Sequence, residues 1–142
     1  LDYAHTPDGI RNVLNTAKEF TLGKIISVFG CGGDRDRAKR SQMGKISGSI
    51  ADYTVITSDN PRSENEISIA YETAAELDDM QCIYNIIINR EKAIEHAIKC
   101  ARSGDTVIIM GKGHETYQQI GQIKYPFSDR DIITDTIARL RL

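Results

Sequence analysis

KIISVFG, residues 24–30, puts apolar side chains on both faces of an extended stretch. A half-solvated strand alternates apolar with polar, whereas a strand apolar on both faces belongs inside a parallel sheet with a layer on either side. Residues 24–30 are therefore expected to be a central, parallel strand.

The flanking sequence supports that reading. To the left, Thr6-Pro7-Asp8 combines an N-cap, a first-position proline and an acid in the first helical turn. Ile10, Val13, Leu14 and Ala17 then share one helical face, and Gly23 is expected to close the helix. To the right, a glycine-rich turn leads into a helix over roughly 37–51, marked by Met43, Ile46 and Ile50. YTVITS (53–58) is a second strand, and Ser63-x-x-Glu66 reads as a capping box opening a helix with Ile69, Ala70, Thr73, Ala74 and Leu77 inward. IYNIII (83–88) is a third strand, followed by a helix over 91–101 with Ala93, Ile94, Ala97 and Ile98 inward. TVIIM (106–110) is a fourth strand. YQQIGQIKY (117–125) turns about Gly121 as an antiparallel hairpin. Ser128-x-x-Asp131 caps a last helix carrying Ile132, Ile133, Ile137 and Leu140. Strands alternate with helices throughout, which predicts an α/β domain over 1–142. Its expected form is a Rossmann-like three-layer sandwich, with a mostly parallel sheet and an antiparallel C-terminal hairpin. No repeat, low-complexity tract or interior linker interrupts it.

Bulk properties limit the function classes. At 142 residues, 40% hydrophobic and 27% charged, the chain suits one globular domain. A net charge of −2 shows no bulk attraction to nucleic acid or an anionic membrane. No stretch reaches the roughly twenty apolar residues that span a bilayer, and no signal segment is visible. A cytoplasmic protein is expected. Cys31, Cys82 and Cys100 form neither a CxxC pair nor a metal-ligand spacing, so they read as buried thiols and no metal site is expected. Residue 1 is leucine, and the pattern suggests a piece of a longer protein.

Ligands of such sheets bind beyond the carboxyl ends of the strands. Three unusual corners fall there. GCGGDRDRAKR (30–40) evokes a dinucleotide fingerprint, with Asp59 as the ribose acid. However, Arg35 stands where the third glycine belongs, and Asp59 lies beyond the usual spacing of about 20 residues. No GxxxxGK[ST] occurs, so there is no P-loop. Asp59-Asn60-Pro61-Arg62 is stiffened by proline and sets an arginine just ahead of a helix start. It is either a solvated surface turn or a planar fork aimed at a carboxylate. In GKGHE (111–115), Gly111 and Gly113 permit close backbone approach, Glu115 can accept from an ammonium group, and His114 reads as a loop-ordering residue.

Taken in order, DYAHTPD (2–8), FGCGGDRDRAKR (29–40), SDNPR (58–62), GKGHETYQ (111–118) and FSDR (127–130) resemble the C-terminal domain of the Mur ligases, nearly end to end. Within that family they are most similar to members that add diaminopimelate. The resemblance implies a three-domain enzyme whose N-terminal domain and central ATPase domain lie outside this chain. It implies an ATP-dependent acid–amino-acid ligase of peptidoglycan synthesis, joining meso-diaminopimelate to UDP-N-acetylmuramoyl-L-alanyl-D-glutamate. ATP phosphorylates the dipeptide carboxylate, and the amine attacks the acyl phosphate. ATP and Mg2+ are held mainly by the central domain, so this chain alone is expected to be inactive. Its implied share is to bind the amino acid through Arg35, Asp59, Asn60, Pro61, Arg62, Gly111 and Glu115. Residues 1–8 match the family's hinge segment, with Asp2, Tyr3 and His5 against ATP. No catalytic residue is assigned to the chain. Ser41 departs from a proline common after the Lys-Arg pair. The alternatives are a lysine-adding relative, which would not want Arg62, a stand-alone dinucleotide-binding module, which would bind NAD, and a non-catalytic interaction domain.

Overall fold

Ile25–Phe29 forms β1, and every residue of it is buried. In the computed structural model, which describes residues 1–142, β1 lies inside a four-stranded sheet with β2 (Tyr53–Ile56), β3 (Tyr84–Ile86) and β4 (Thr106–Ile109). The order is β3-β2-β1-β4 and all pairings are parallel. Val28 stands opposite Val55 on one side and Ile109 on the other.

Alternation along β1 divides the core in two. Ile25 and Phe29 face Ile10 and Leu14 of α1 (Pro7–Phe20), Met43 and Ile46 of α2 (Ala38–Ile50), and Ile69 and Ala70 of α3 (Glu66–Thr73). Ile26 and Val28 face Ala93, Ile94, Ala97 and Ile98 of α4 (Arg90–Cys100), against which α5 (Asp129–Leu140) also packs. The three-layer α/β sandwich is therefore as expected. The chain runs β1, β2, β3 in one direction and then returns to the far side of β1 with β4. The strand order reverses at β1/β4, which is where such sheets open a crevice at their carboxyl edge.

Local details differ from the pattern in instructive ways. The first helix ends at Phe20, where the Thr21 amide caps Ala17 O. Gly23 instead makes room for Asp105, whose Oδ1 would lie 2.3 Å from an added Cβ. Asn65, not Ser63, caps α3, because its side chain accepts from the amides of Ile67 and Ser68. The Ser63 hydroxyl is drawn instead to Asp34. β3 is cut to three residues at the sheet's edge. The hairpin forms as expected, with β5 (Tyr117–Ile120) and β6 (Ile123–Pro126) turning at Gly121, φ +61°. It is a separate two-stranded sheet tied back by an Arg62–Ile120 bridge. Ser128 caps α5 as expected, but Ile137 stays exposed. Cys31 is buried, Cys82 half-buried, and Cys100 is exposed, because α4 ends with that face turned to solvent.

Candidate functional site

The loop after β1 and the corner after β2 are latched into one body. The Gly33 amide donates to Asn60 O at 2.8 Å, and Arg62 Nη1 donates to Gly33 O at 2.8 Å. Asp34, held at φ +55°, donates its amide to Glu64 and accepts from the Ser63 amide and hydroxyl. Gly33 is required here, since a Cβ would sit 1.8 Å from Pro61 O. At Gly30 a Cβ would sit 2.2 Å from Thr57 O. At Gly32 a Cβ would lie 2.9 Å from Arg62 Nη1, so Gly30 and Gly32, which evoke a dinucleotide fingerprint, make room for the second corner, and α2 begins only at Ala38.

Beneath these loops lies Arg40, buried at the start of α2. Its guanidinium bonds to both Glu64 oxygens at 3.1 and 2.6 Å, to Glu72 at 2.9 Å and to Gly32 O at 3.2 Å. The Arg40 hydrogen bond holds the Glu64 carboxyl down at about 2, and Arg37 with Arg40 keeps Glu72 low as well. Arg40 is thus a brace. Burial pushes the neighbouring Cys31 thiol up to about 11, so it is no nucleophile.

The third corner closes the far side. Gly111 (φ +112°) makes room for Asp59, whose Oδ2 would lie 2.6 Å from an added Cβ, and Gly113 (φ +55°) makes room for Tyr3. Both close approaches are therefore within the chain. Lys112 between them is fully buried. It donates to Asn60 Oδ1 at 2.6 Å, Tyr117 O at 2.9 Å and Glu115 Oε1 at 3.4 Å. Asn60 Nδ2 donates to Glu115 Oε1 at 3.3 Å. Burial lowers the Lys112 pKa, with Asp59 pulling the other way.

These elements frame one cleft of about 380 Å³ at the carboxyl edge of β1, β2 and β4. Arg35, Asp59, Asn60, Arg62, Gly111, Glu115, Tyr3 and His5 all line it. Pro61 and Asp2 do not. Pro61 O accepts from the Glu64 amide, and Asp2 bridges to Met110 by backbone, extending the β4 edge. Arg35 and Arg62 bond to backbone carbonyls, Asp34 O at 3.0 Å and Gly33 O, and neither meets a carboxylate within 4.0 Å. Arg62 also occupies φ +51°, a conformation costly to a side chain that persists only when its surroundings fix it. Here the fixing contacts are Arg62 N to Gln119 O at 3.1 Å and Gly121 N to Arg62 O at 2.6 Å. These bonds hold the corner in one conformation, so it is not a loose surface turn.

Sequence reasoning missed Arg40, Lys112 and the Arg90–Asp129 pair. Arg40 and Arg90 were detectable, because each lies three residues before an inward apolar residue (Met43, Ala93) and so shares the core face of its helix. Lys112 follows the buried end of β4, but nothing in its neighbours announces its partners.

Arg35 and Arg62, which meet no carboxylate of the chain, thus line the same strand-end crevice of this α/β domain as Glu115. The chain belongs to the Mur ligase family: the profile described as "Mur ligase, glutamate ligase domain" matches residues 1–113. It is 48% identical over 99% of its length to a UDP-N-acetylmuramoyl-L-alanyl-D-glutamate–2,6-diaminopimelate ligase of Clostridioides difficile (strain 630), covering 29% of that protein. A ligase of the same name from Alkaliphilus metalliredigens (strain QYMF) is 54% identical over 91% of this chain and 26% of its own. A solved structure of such a ligase superimposes with a TM-score of 0.93 and 38% identity, over 99% of this chain and 29% of that one. This chain thus spans under a third of the length of the relatives it matches.

Proposed function

We propose that this chain is the amino-acid-binding domain of a ligase that joins meso-diaminopimelate to UDP-N-acetylmuramoyl-L-alanyl-D-glutamate, in the cytoplasm, during peptidoglycan synthesis. The observation that carries the reading is the charge order of the cleft. Arg35 and Arg62 offer donors that no carboxylate of the chain occupies, and Glu115 lines the same cleft as an acceptor. Diaminopimelate has two amino acid ends, so it presents a carboxylate beyond the one that lysine offers. A rigid fork such as Arg62 suits that second carboxylate through paired, charge-assisted hydrogen bonds. Asp59, Asn60, Pro61 and Gly111 shape the site around it, and residues 1–8, with Asp2, Tyr3 and His5, form the hinge that meets ATP.

No cluster of three or more His, Cys, Asp or Glu side chains of the kind that holds a metal ion occurs in this chain. On this reading ATP and Mg2+ are bound mainly by the central domain of the longer protein. This domain contributes by holding the incoming amine next to the activated carboxylate, a proximity effect worth up to about 7–11 kcal/mol.

The test uses the full-length protein that contains this chain, supplied with ATP, Mg2+ and the UDP-sugar dipeptide. Diaminopimelate should elicit phosphate release and a tripeptide product, with lysine poorly used. Turnover that prefers lysine, or NAD binding to the cleft, overturns the reading.

A further inference from the structure

A buried lysine is costly to desolvate, and an apolar side chain could fill the same volume without that cost. Lys112 has no exposed surface, and its nearest carboxylate oxygen, Glu115 Oε1, is 3.4 Å away. Its shortest bond is to a neutral group, Asn60 Oδ1 at 2.6 Å. The same oxygen accepts from the Gln119 amide at 2.9 Å. An ammonium group and a backbone N–H can only donate, so the Asn60 amide has one permitted orientation. Its Nδ2 must face Glu115 and the cleft. Of its two N–H bonds one meets Glu115 Oε1, and the other has no partner within the chain.

Resting on the function proposed above, we infer that Lys112 is a positioning residue that sets the donor and acceptor order of the cleft. Through Asn60 it presents an N–H toward a carboxylate, and through Glu115 it keeps a charged acceptor in place for an ammonium group. One buried charge thereby arranges the pair of groups that recognises an α-amino acid zwitterion. Tyr117 O, the third acceptor of Lys112, couples this arrangement to the hairpin that also holds the Arg62 backbone. Without the ammonium, Asn60 Oδ1 keeps only the Gln119 donor, and Glu115 Oε1 keeps only the 3.3 Å bond from Asn60 Nδ2.

The experiment compares wild type, Lys112→Met, Asn60→Ala and the double variant in the full-length protein, with thermal melting read for each. Lys112→Met should raise KM for diaminopimelate about tenfold or more, with kcat and the KM for ATP changing far less. The double variant should fall short of the product of the two single effects, because Lys112 acts partly through Asn60 and coupled residues are not additive. Lys112→Gln, which keeps a donor but no charge, should fall between wild type and Lys112→Met. An unchanged KM in a folded Lys112 variant, effects that multiply in the double variant, or a KM for ATP that rises in step overturns the inference. Wild-type protein that does not use diaminopimelate defeats the functional reading instead, so the two failures are distinguishable.

Discussion

Arg90 and Asp129 form a two-pronged ion pair with no solvent access, Nε to Oδ1 at 2.8 Å and Nη2 to Oδ2 at 2.6 Å. The pair joins the first residues of α4 and α5. The same guanidinium also donates to Ser58 O at 3.2 Å and Met110 O at 3.0 Å, clamping the carboxyl ends of β2 and β4. Burial is the largest single influence and opposes the charge on Arg90, but the Asp129 hydrogen bonds together with the charges of Asp129, Asp59 and Glu115 outweigh it and raise the pKa.

Breaking that pair from one side should be severe. Asp129→Ala leaves a buried arginine without its counter-charge, which costs about 3–5 kcal/mol. Chemical denaturation should show this as a lower midpoint with an unchanged slope. Because Arg90 aligns two strand ends under the cleft, ligand affinity should fall with stability. A loss below about 1 kcal/mol would show that the pair does not hold the strand ends.

The layered fold was legible because it rests on repeated local signals: an apolar central strand, amphipathic helices and caps at Thr6 and Ser128. Cleft membership was largely legible too, since strand ends in an α/β sheet converge by topology. Hydrogen bonds between residues far apart in sequence were not legible. Ser63 looked like a cap because its spacing to Glu66 is local, whereas the attraction of Asp34 comes from 29 residues away. Lys112 and Asn60, 52 residues apart, left no pattern in either neighbourhood.

Gly33→Ala tests whether the first two corners act as one body. The added Cβ would overlap Pro61 O at 1.8 Å, so one loop must move. Overpacking of this kind costs about 1–3 kcal/mol. The displaced corner carries Asn60 and Arg62, so KM for the amino acid should rise more than stability falls. A variant with normal KM and a normal melt would mean that the latch is slack.

Acid should loosen the brace around Arg40. Glu64 is held at about 2 against an ordinary value of 4.5. Its folded pKa is depressed, so its contribution is complete above about 4.5 and is lost as pH falls toward 2. Stability measured across that window should decline in wild type and decline less in Glu64→Gln, which has no proton to take up. Parallel curves for the two proteins would rule out Glu64 as the responsible group.

Arg62 separates folding from recognition most cleanly. Its guanidinium lines the cleft and is tethered by the single carbonyl of Gly33, so truncation leaves no core cavity. Arg62→Ala in the full-length protein should therefore keep its melting temperature. Arg62→Gly should match or exceed it, because glycine relieves a left-handed backbone at φ +51° that costs other residues about 1–2 kcal/mol. Both variants lose a charge-assisted contact in which each hydrogen bond is worth about 1.5–3 kcal/mol. For diaminopimelate, kcat/KM should then drop about a hundredfold or more, at about 1.4 kcal/mol per factor of ten. Lysine is the control. In wild type it leaves Arg62 unpaired, and sites built to bond a polar group reject analogues lacking it by up to about 10⁴–10⁵. Removing the guanidinium should narrow the gap between the two substrates, chiefly by harming diaminopimelate. A folded variant whose preference ratio equals that of wild type would show that Arg62 does not read the second carboxylate.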